Sequence, residues 1–81
     1  MPKLLLTQAN GKQRSADLVP AAANRQLNEI QTRELDQVNR RLPSNILADM
    51  AARGLAIPPR EVERLLSRLK AAADLEITIG D

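Results

Sequence analysis

Three arginines recur at every fourth position near the C-terminal end of the chain and carry the clearest binding chemistry in the sequence. Arg60, Arg64 and Arg68 fall on one side of a predicted helix, opposite its apolar side. A guanidinium group presents a planar fork of N–H donors that matches carboxylate and phosphate groups. The row therefore predicts a contact surface for an anionic partner. The alternative is an ordinary solvated face with ion pairs, because Glu61 can pair with Arg64.

The residue types that most catalytic sites need are missing from this chain. Among its 81 residues there is no His, Cys, Phe, Tyr or Trp, so neither an imidazole nor a thiolate can take part in a reaction. The hydroxyl groups have no histidine to activate them, and Ser67 and Lys70 lie on a solvated helical face. The carboxylates of Glu61 and Glu63 diverge on a helix. We therefore predict that the protein is not an enzyme and has no catalytic residues.

Cofactor and metal sites are not indicated either. The segment 10–12, Asn-Gly-Lys, ends like a phosphate-binding loop, but Leu6 replaces the first glycine and Gln13 replaces the final Ser or Thr. No run of carboxylates has the spacing of a calcium-binding loop. Three acids near the C-terminus have no neighbouring base, and we interpret them as a charged strand edge that resists aggregation: Asp74, Glu76 and Asp81.

The length and composition indicate one small domain, residues 1–81, with an aliphatic core. The chain is 43% hydrophobic and contains no aromatic residue, so large contributions from buried rings are absent. Small domains often compensate for a modest core by oligomerisation, and we expect self-association here. The net charge of +2 is below that of a strongly electrostatic nucleic-acid binder. No segment has the length of a membrane span, so we expect a cytoplasmic protein.

The two ends of the chain predict a small sheet. Residues 3–9 form an apolar run that ends at Asn10-Gly11, a strong hairpin signal. The return arm, residues 12–17, is mostly polar and predicts an edge strand or a loop. Residues 75–79 alternate apolar and polar, as in a half-buried strand. Because the first end of the chain is basic and the last is acidic, these two strands can pair, within one chain or between two.

The longest predicted helix covers about residues 18–42. Asp17 or Val19-Pro20 opens it, and Pro43 ends it. Its apolar side contains two polar residues, Gln31 and Glu34. Polar residues within an apolar stripe indicate a half-exposed surface helix or an interface in which a polar group sets the register. We therefore include both residues among the candidate partner-binding residues.

Two shorter helices follow. Ser44 is a suitable N-cap for a helix at 45–53, and Gly54 suits the left-handed position that ends it. The last helix, 59–73, has an apolar arc without any polar residue. Three helices and a small sheet built from the two ends of the chain make a mostly helical α+β domain.

The leading functional prediction is a small adaptor, inhibitor or assembly component that binds another protein through a helical surface and self-associates. Its candidate contacts are the arginine row and the two polar residues of the first helix. The alternative is a DNA-binding regulator that uses residues 46–69 as a helix-turn-helix-like unit. The connection in that unit is longer than a tight turn, and Glu61 and Glu63 near the start of the recognition helix would be repelled by phosphate. The two predictions differ in salt dependence, which is steep for a DNA binder.

Overall fold

Residues 1–24 and 26–81 are described by the computed structural model, which shows an α+β domain. Its strands are β1 (Lys3–Thr7), β2 (Gln13–Asp17), β3 (Val19–Pro20), β4 (Leu55–Ala56) and β5 (Glu76–Gly80). Its helices are α1 (Glu29–Arg41), α2 (Ser44–Arg53) and α3 (Pro59–Ala71). The predicted fold class is confirmed: three helices accompany a small antiparallel sheet made from both ends of the chain.

The main sheet has β1 at its centre, with β2 on one side and β5 on the other, both antiparallel to it. Leu4 lies opposite Ala16 on β2 and Ile79 on β5. Leu4, Leu6 and Ala16 are buried on the face that the helices cover, whereas Ile79 on the outer strand is half-buried. The expected pairing of the basic first strand with the acidic last strand occurs within one chain.

The first two strands form the predicted hairpin, with a longer loop than a two-residue turn. Gln8 N–H donates to the Lys12 carbonyl at 2.8 Å, and Gly11 N–H donates to the Gln8 carbonyl at 2.9 Å. Three residues therefore lie between the closing pair, and Gly11 takes a φ of +88°, which a residue without Cβ adopts easily. The polar return arm is a strand, not a loop.

The prediction of a helix over residues 18–42 is wrong in its first half, because α1 begins at Glu29. Asn28 is the N-cap, and its side chain accepts from Gln31 N–H at 2.7 Å while Gln31 accepts from Asn28 N–H at 3.0 Å. This reciprocal capping box satisfies the first free amides of the helix and fixes its start. Arg25, inside the predicted helix, lies outside the described residues.

Val19-Pro20 is part of a strand instead of a helix start. β3 pairs antiparallel with β4, and the chain after it makes a single 3₁₀ turn. Ala21 N–H donates to the Gly54 carbonyl at 2.7 Å, and Asn24 Nδ2 donates to the Ile57 carbonyl at 2.9 Å. A proline fits an edge strand as well as a first helical turn, and these long-range hydrogen bonds favour the strand.

The other two helices lie close to their predicted positions. Ser44 is the first residue of α2 and not its N-cap, since Pro43 precedes the helix without a side-chain cap. Gly54 ends α2 in the left-handed conformation, with a φ of 66°, as predicted. Helix α3 ends at Ala71, before the extended Ala72. Shifts of one or two residues at helix ends are ordinary.

The core lies between the three helices and one face of the main sheet. Helix α3 packs chiefly against α1, and α2 contacts mainly β4 and β5. The buried helical side chains are all aliphatic except for methionine and one glutamate: Val38, Ile46, Met50, Glu61, Val62, Leu65, Leu66 and Leu69. Within the described ranges, no helix is both long and apolar enough to cross a membrane.

Candidate functional site

The arginine row of α3 lies along the outer edge of β2. Arg60 Nη2 is 3.6 Å from Asp17 Oδ2, and Arg68 Nη1 donates to the Ser15 carbonyl at 3.1 Å. Helix α3 therefore runs antiparallel to β2, with its first turn near the end of that strand. One ion pair and one hydrogen bond within the chain hold two of the three predicted arginines near an edge strand.

The Ser15 carbonyl is an outward-facing group of the sheet. Backbone hydrogen bonds close the hairpin at Gln8 and Lys12, and hydrogen-bonded pairs alternate along an antiparallel ladder. Ser15, opposite Leu5, is therefore a non-hydrogen-bonded position whose carbonyl points away from β1. Arg68 supplies a donor where the sheet has no further strand.

Arg64 contacts a buried carboxylate. Its Nη1 is 3.4 Å from Glu61 Oε1, and Glu61 is only 6% exposed. This confirms the pair that the sequence spacing predicts. A carboxylate in the first turn of a helix is favoured by the free N–H groups there, and a buried carboxylate needs a partner. The contact with Glu61 therefore gives Arg64 a structural role in addition to its exposed position.

A fourth arginine, which sequence reasoning missed, joins the row. Arg14 on β2 lies opposite Leu6 and lines, with Arg68, a depression of about 330 Å³ between β2 and the end of α3. Residues two apart in a strand share a face, so the position of Arg14 relative to buried Ala16 could have placed it on the helix side. That inference needed the return arm to be assigned firmly as a strand.

The arginine face continues along α3 as a second shallow depression of about 460 Å³. It shares Arg68 with the first, so the two form one surface. We call this surface the arginine face and define it by four residues: Arg14, Arg60, Arg64 and Arg68. Glu63, also at this surface, is exposed and forms no ion pair with any residue that the structure describes.

The exposed guanidinium groups of the arginine face have the donor geometry to bind carboxylate or phosphate groups. Each guanidinium has five N–H donors, and the contacts to Asp17, Glu61 and Ser15 engage only part of this capacity. The side chains of Arg60 and Arg64 remain 64% and 63% exposed. A partner carrying carboxylate or phosphate groups can therefore reach donors that the chain has already positioned.

The predicted residues of the first helix lie elsewhere. Gln31 closes the capping box of α1, so its amide already has a structural partner. Glu34 is half-buried, and its side chain forms no hydrogen bond or ion pair within residues 1–24 and 26–81. No hydrogen bond or ion pair between described residues joins either one to the arginine face. The structure therefore does not bring the five predicted residues into one site.

The unit at 46–69 has a connection that itself takes part in the fold. Between α2 and α3, the strand β4 pairs with β3, and Gly54 accepts a hydrogen bond from Ala21. Helix α3 packs mainly against α1 and not against α2. The arginine row is therefore presented beside β2, on a surface to which α2 does not contribute.

Comparisons with known proteins found no similar protein. No protein family, no curated protein and no solved structure matches the chain. In the part of the chain that the structure describes, no three acidic side chains are grouped so that they could hold a metal ion.

Proposed function

We propose that this protein is a non-enzymatic binding module whose arginine face docks an acidic segment of another protein. The observation that carries the proposal is the state of Arg60 and Arg64. Each guanidinium is held by one contact within the chain, yet each side chain is more than 60% exposed. This combination provides anion-binding groups that are both positioned and accessible.

Positioning matters because binding must order flexible side chains. An arginine immobilised only on binding costs about 0.5–1.5 kcal/mol of side-chain entropy. The contacts of Arg60 with Asp17 and of Arg68 with Ser15 limit that cost before a partner arrives. A row spaced by four residues also matches carboxylates spaced by one helical turn on a facing helix.

The partner chemistry that fits best is a set of separate carboxylates. Glu63 lies among the arginines and would repel a continuous phosphodiester backbone, whereas discrete acids can avoid it. The chain as a whole has a net charge of only +2, which gives little long-range attraction for nucleic acid. An acidic protein segment therefore suits this surface better than a DNA duplex.

The test is a titration of isotope-labelled protein with an acidic helical peptide that carries Glu at every fourth position. We expect amide shifts confined to α3 and β2, and a dissociation constant that rises at least about tenfold when Arg60 and Arg68 are changed to alanine. This double variant keeps Arg64, so Glu61 retains its partner. The matched control is Arg33→Ala with Arg40→Ala, two exposed arginines of α1.

Two results would overturn the proposal. One is equal weakening of peptide binding in the control variant, which would mean attraction by net charge alone. The other is binding of a short DNA duplex in place of the peptide, with an affinity that falls steeply and linearly in log salt. The second result would support the DNA-binding alternative. Circular dichroism of each variant establishes that the fold is retained.

A further inference from the structure

The outer edge of β5 has no partner strand among the described residues. β5 pairs with β1 on one side only. Since Leu4 and Leu6 exchange hydrogen bonds with β2, the alternation of the ladder turns the backbone of Leu5 towards β5. The backbone N–H and C=O groups of Thr78, opposite Leu5, therefore point towards β1. Those of Ile77 and Ile79 point away from the sheet.

We propose that a second copy of this chain pairs antiparallel with this edge, around a two-fold axis at Thr78, and forms a continuous six-stranded sheet. A two-fold interface uses the same strand from both copies, and strand addition supplies main-chain hydrogen bonds without a preformed pocket. This inference does not depend on the arginine face, which lies beside the opposite edge of the sheet.

The register of the pairing follows from the outward-facing groups. Ile77 of one copy lies opposite Ile79 of the other, and both positions present free backbone groups. Thr78 then faces Thr78 of the second copy, and Glu76 faces Gly80. Among the registers that pair outward-facing residues, this one overlaps all five residues of β5. It gives four main-chain hydrogen bonds from the two isoleucine pairs.

Charge complementarity favours the same register. Lys3 and Glu76 are exposed on the same face of the sheet, and neither forms an ion pair within the described chain. Lys3 lies between Asp17 on β2 and Gly80 on β5, so Glu76 of the second copy becomes its next neighbour on the β5 side. Two strand spacings separate these residues by about 10 Å, a distance that a lysine and a glutamate can span past the Leu5 side chain, which lies over Gly80.

The apolar side chains of β5 also gain cover. Ile77 and Ile79 are half-buried at the open edge, and pairing them across the axis extends the core. A depression of about 280 Å³ lies beside Ile77 and is lined by Leu75 and Arg41. The register places Asp81 of the second copy, which pairs with Arg53 of its own chain at 3.7 Å, opposite Leu75 at the rim of this depression.

The acidic residues of the edge limit which pairings form. In a parallel in-register stack, Glu76 would face Glu76, and like charges directly opposite each other are destabilising. In the antiparallel arrangement, Glu76 faces a glycine. The acids therefore oppose open-ended aggregation, as the sequence indicates, while they allow a closed pair.

A single introduced cysteine tests the axis directly. The chain has no cysteine, so Thr78→Cys can form a disulfide only between copies. Residues facing each other in a non-hydrogen-bonded pair have Cα atoms about 4.5 Å apart, within the range for a disulfide. We expect rapid cross-linking of Thr78→Cys under mild oxidation. The matched control is Ser15→Cys, an exposed residue at the middle of the other edge strand, which we expect to remain monomeric.

Charge exchange provides a second and independent measurement. We expect Lys3→Glu to raise the dimer dissociation constant about tenfold, because it changes two attractive pairs into two repulsive pairs. Combining it with Glu76→Lys should restore the original value. Sedimentation equilibrium over a range of protein concentrations measures each constant.

Three outcomes would overturn the proposal. The unmodified chain could stay monomeric at every concentration, or Ser15→Cys could cross-link as fast as Thr78→Cys. The third outcome is a dimer that Lys3→Glu does not weaken, which would locate the interface elsewhere. An added extended peptide that pairs with β5 of a strictly monomeric protein would assign the edge to another chain instead of a second copy.

Discussion

The two outer edges of the main sheet are protected in different ways. Along β2, Arg68 donates to the Ser15 carbonyl and Arg60 pairs with the Asp17 side chain, so α3 contacts this edge at one backbone group and one side chain. Along β5, no hydrogen bond from another described element reaches the backbone of Ile77 or Ile79. We call the β2 edge closed because α3 contacts it at these two points, and the β5 edge open because no hydrogen bond between described residues engages its outward backbone groups.

The arginines of α3 that contact the β2 edge are the same residues to which we assign the proposed binding function. The contacts that close the β2 edge also hold the arginines of α3 in place, which is the property that the proposed binding function requires. At the β5 edge, Asp81 beyond the strand pairs with Arg53 of α2 at 3.7 Å, but no hydrogen bond between described residues engages the outward backbone groups of Ile77 and Ile79. Both proposals therefore depend on how each edge of the sheet is covered within the chain.

The largest expected effect is the difference in side-chain packing between the central strand β1 and the outer strand β5. Leu4 is fully buried between β2 and β5, so Leu4→Ala should lower the free energy of unfolding by about 3 kcal/mol. Ile79→Ala, at the half-buried neighbouring position on β5, should lower it by about 1 kcal/mol. Urea denaturation at low protein concentration measures both values. Equal losses would show that β5 is packed as tightly as the central strand.

Much of this sheet could be predicted from the sequence. The hairpin, the C-terminal strand and the pairing of the two ends follow from apolar alternation and from the charges near Lys3 and Glu76. Helix α3 follows from its clean apolar arc, and Gly54 marks the end of α2 through its left-handed conformation. These features depend on the spacing of residue types within one segment, which can be read directly from the sequence.

The features that were missed depend on tertiary contacts. The segment after Pro20 has helical spacing, but the Ala21 N–H donates to the Gly54 carbonyl and the Asn24 side-chain amide donates to the Ile57 carbonyl. Helix α1 begins only after the capping box at Asn28. The spacing of the three arginines indicates that they share one side of α3. Their position beside Ser15 depends on how α3 packs on the sheet, which the spacing does not indicate. The periodicity of a segment does not indicate which other segment it packs against.

A smaller effect is expected at Gly80, which sharpens the description of the open edge. A Cβ atom there would lie 2.8 Å from Cδ1 of Leu5, so Gly80→Ala should cost about 1 kcal/mol, at the low end for overpacking because Leu5 is half-exposed and can turn. Leu5→Ala should remove most of this penalty. A double-mutant cycle measured by thermal unfolding gives the coupling, and additive effects would show that Leu5 does not fill this space.

The smallest expected effect concerns the closed edge. Arg68→Ala should lower the free energy of unfolding by only about 0.5 kcal/mol, because water can replace the lost donor at the exposed Ser15 carbonyl. Arg33→Ala, at an exposed position of α1, should have no measurable effect. The sharper readout is cross-linking: Ser15→Cys should become reactive between copies only when Arg68 is absent. If it stays unreactive, then the twist of the sheet or another part of α3 closes the β2 edge, and the contrast between the two edges does not depend on this arginine.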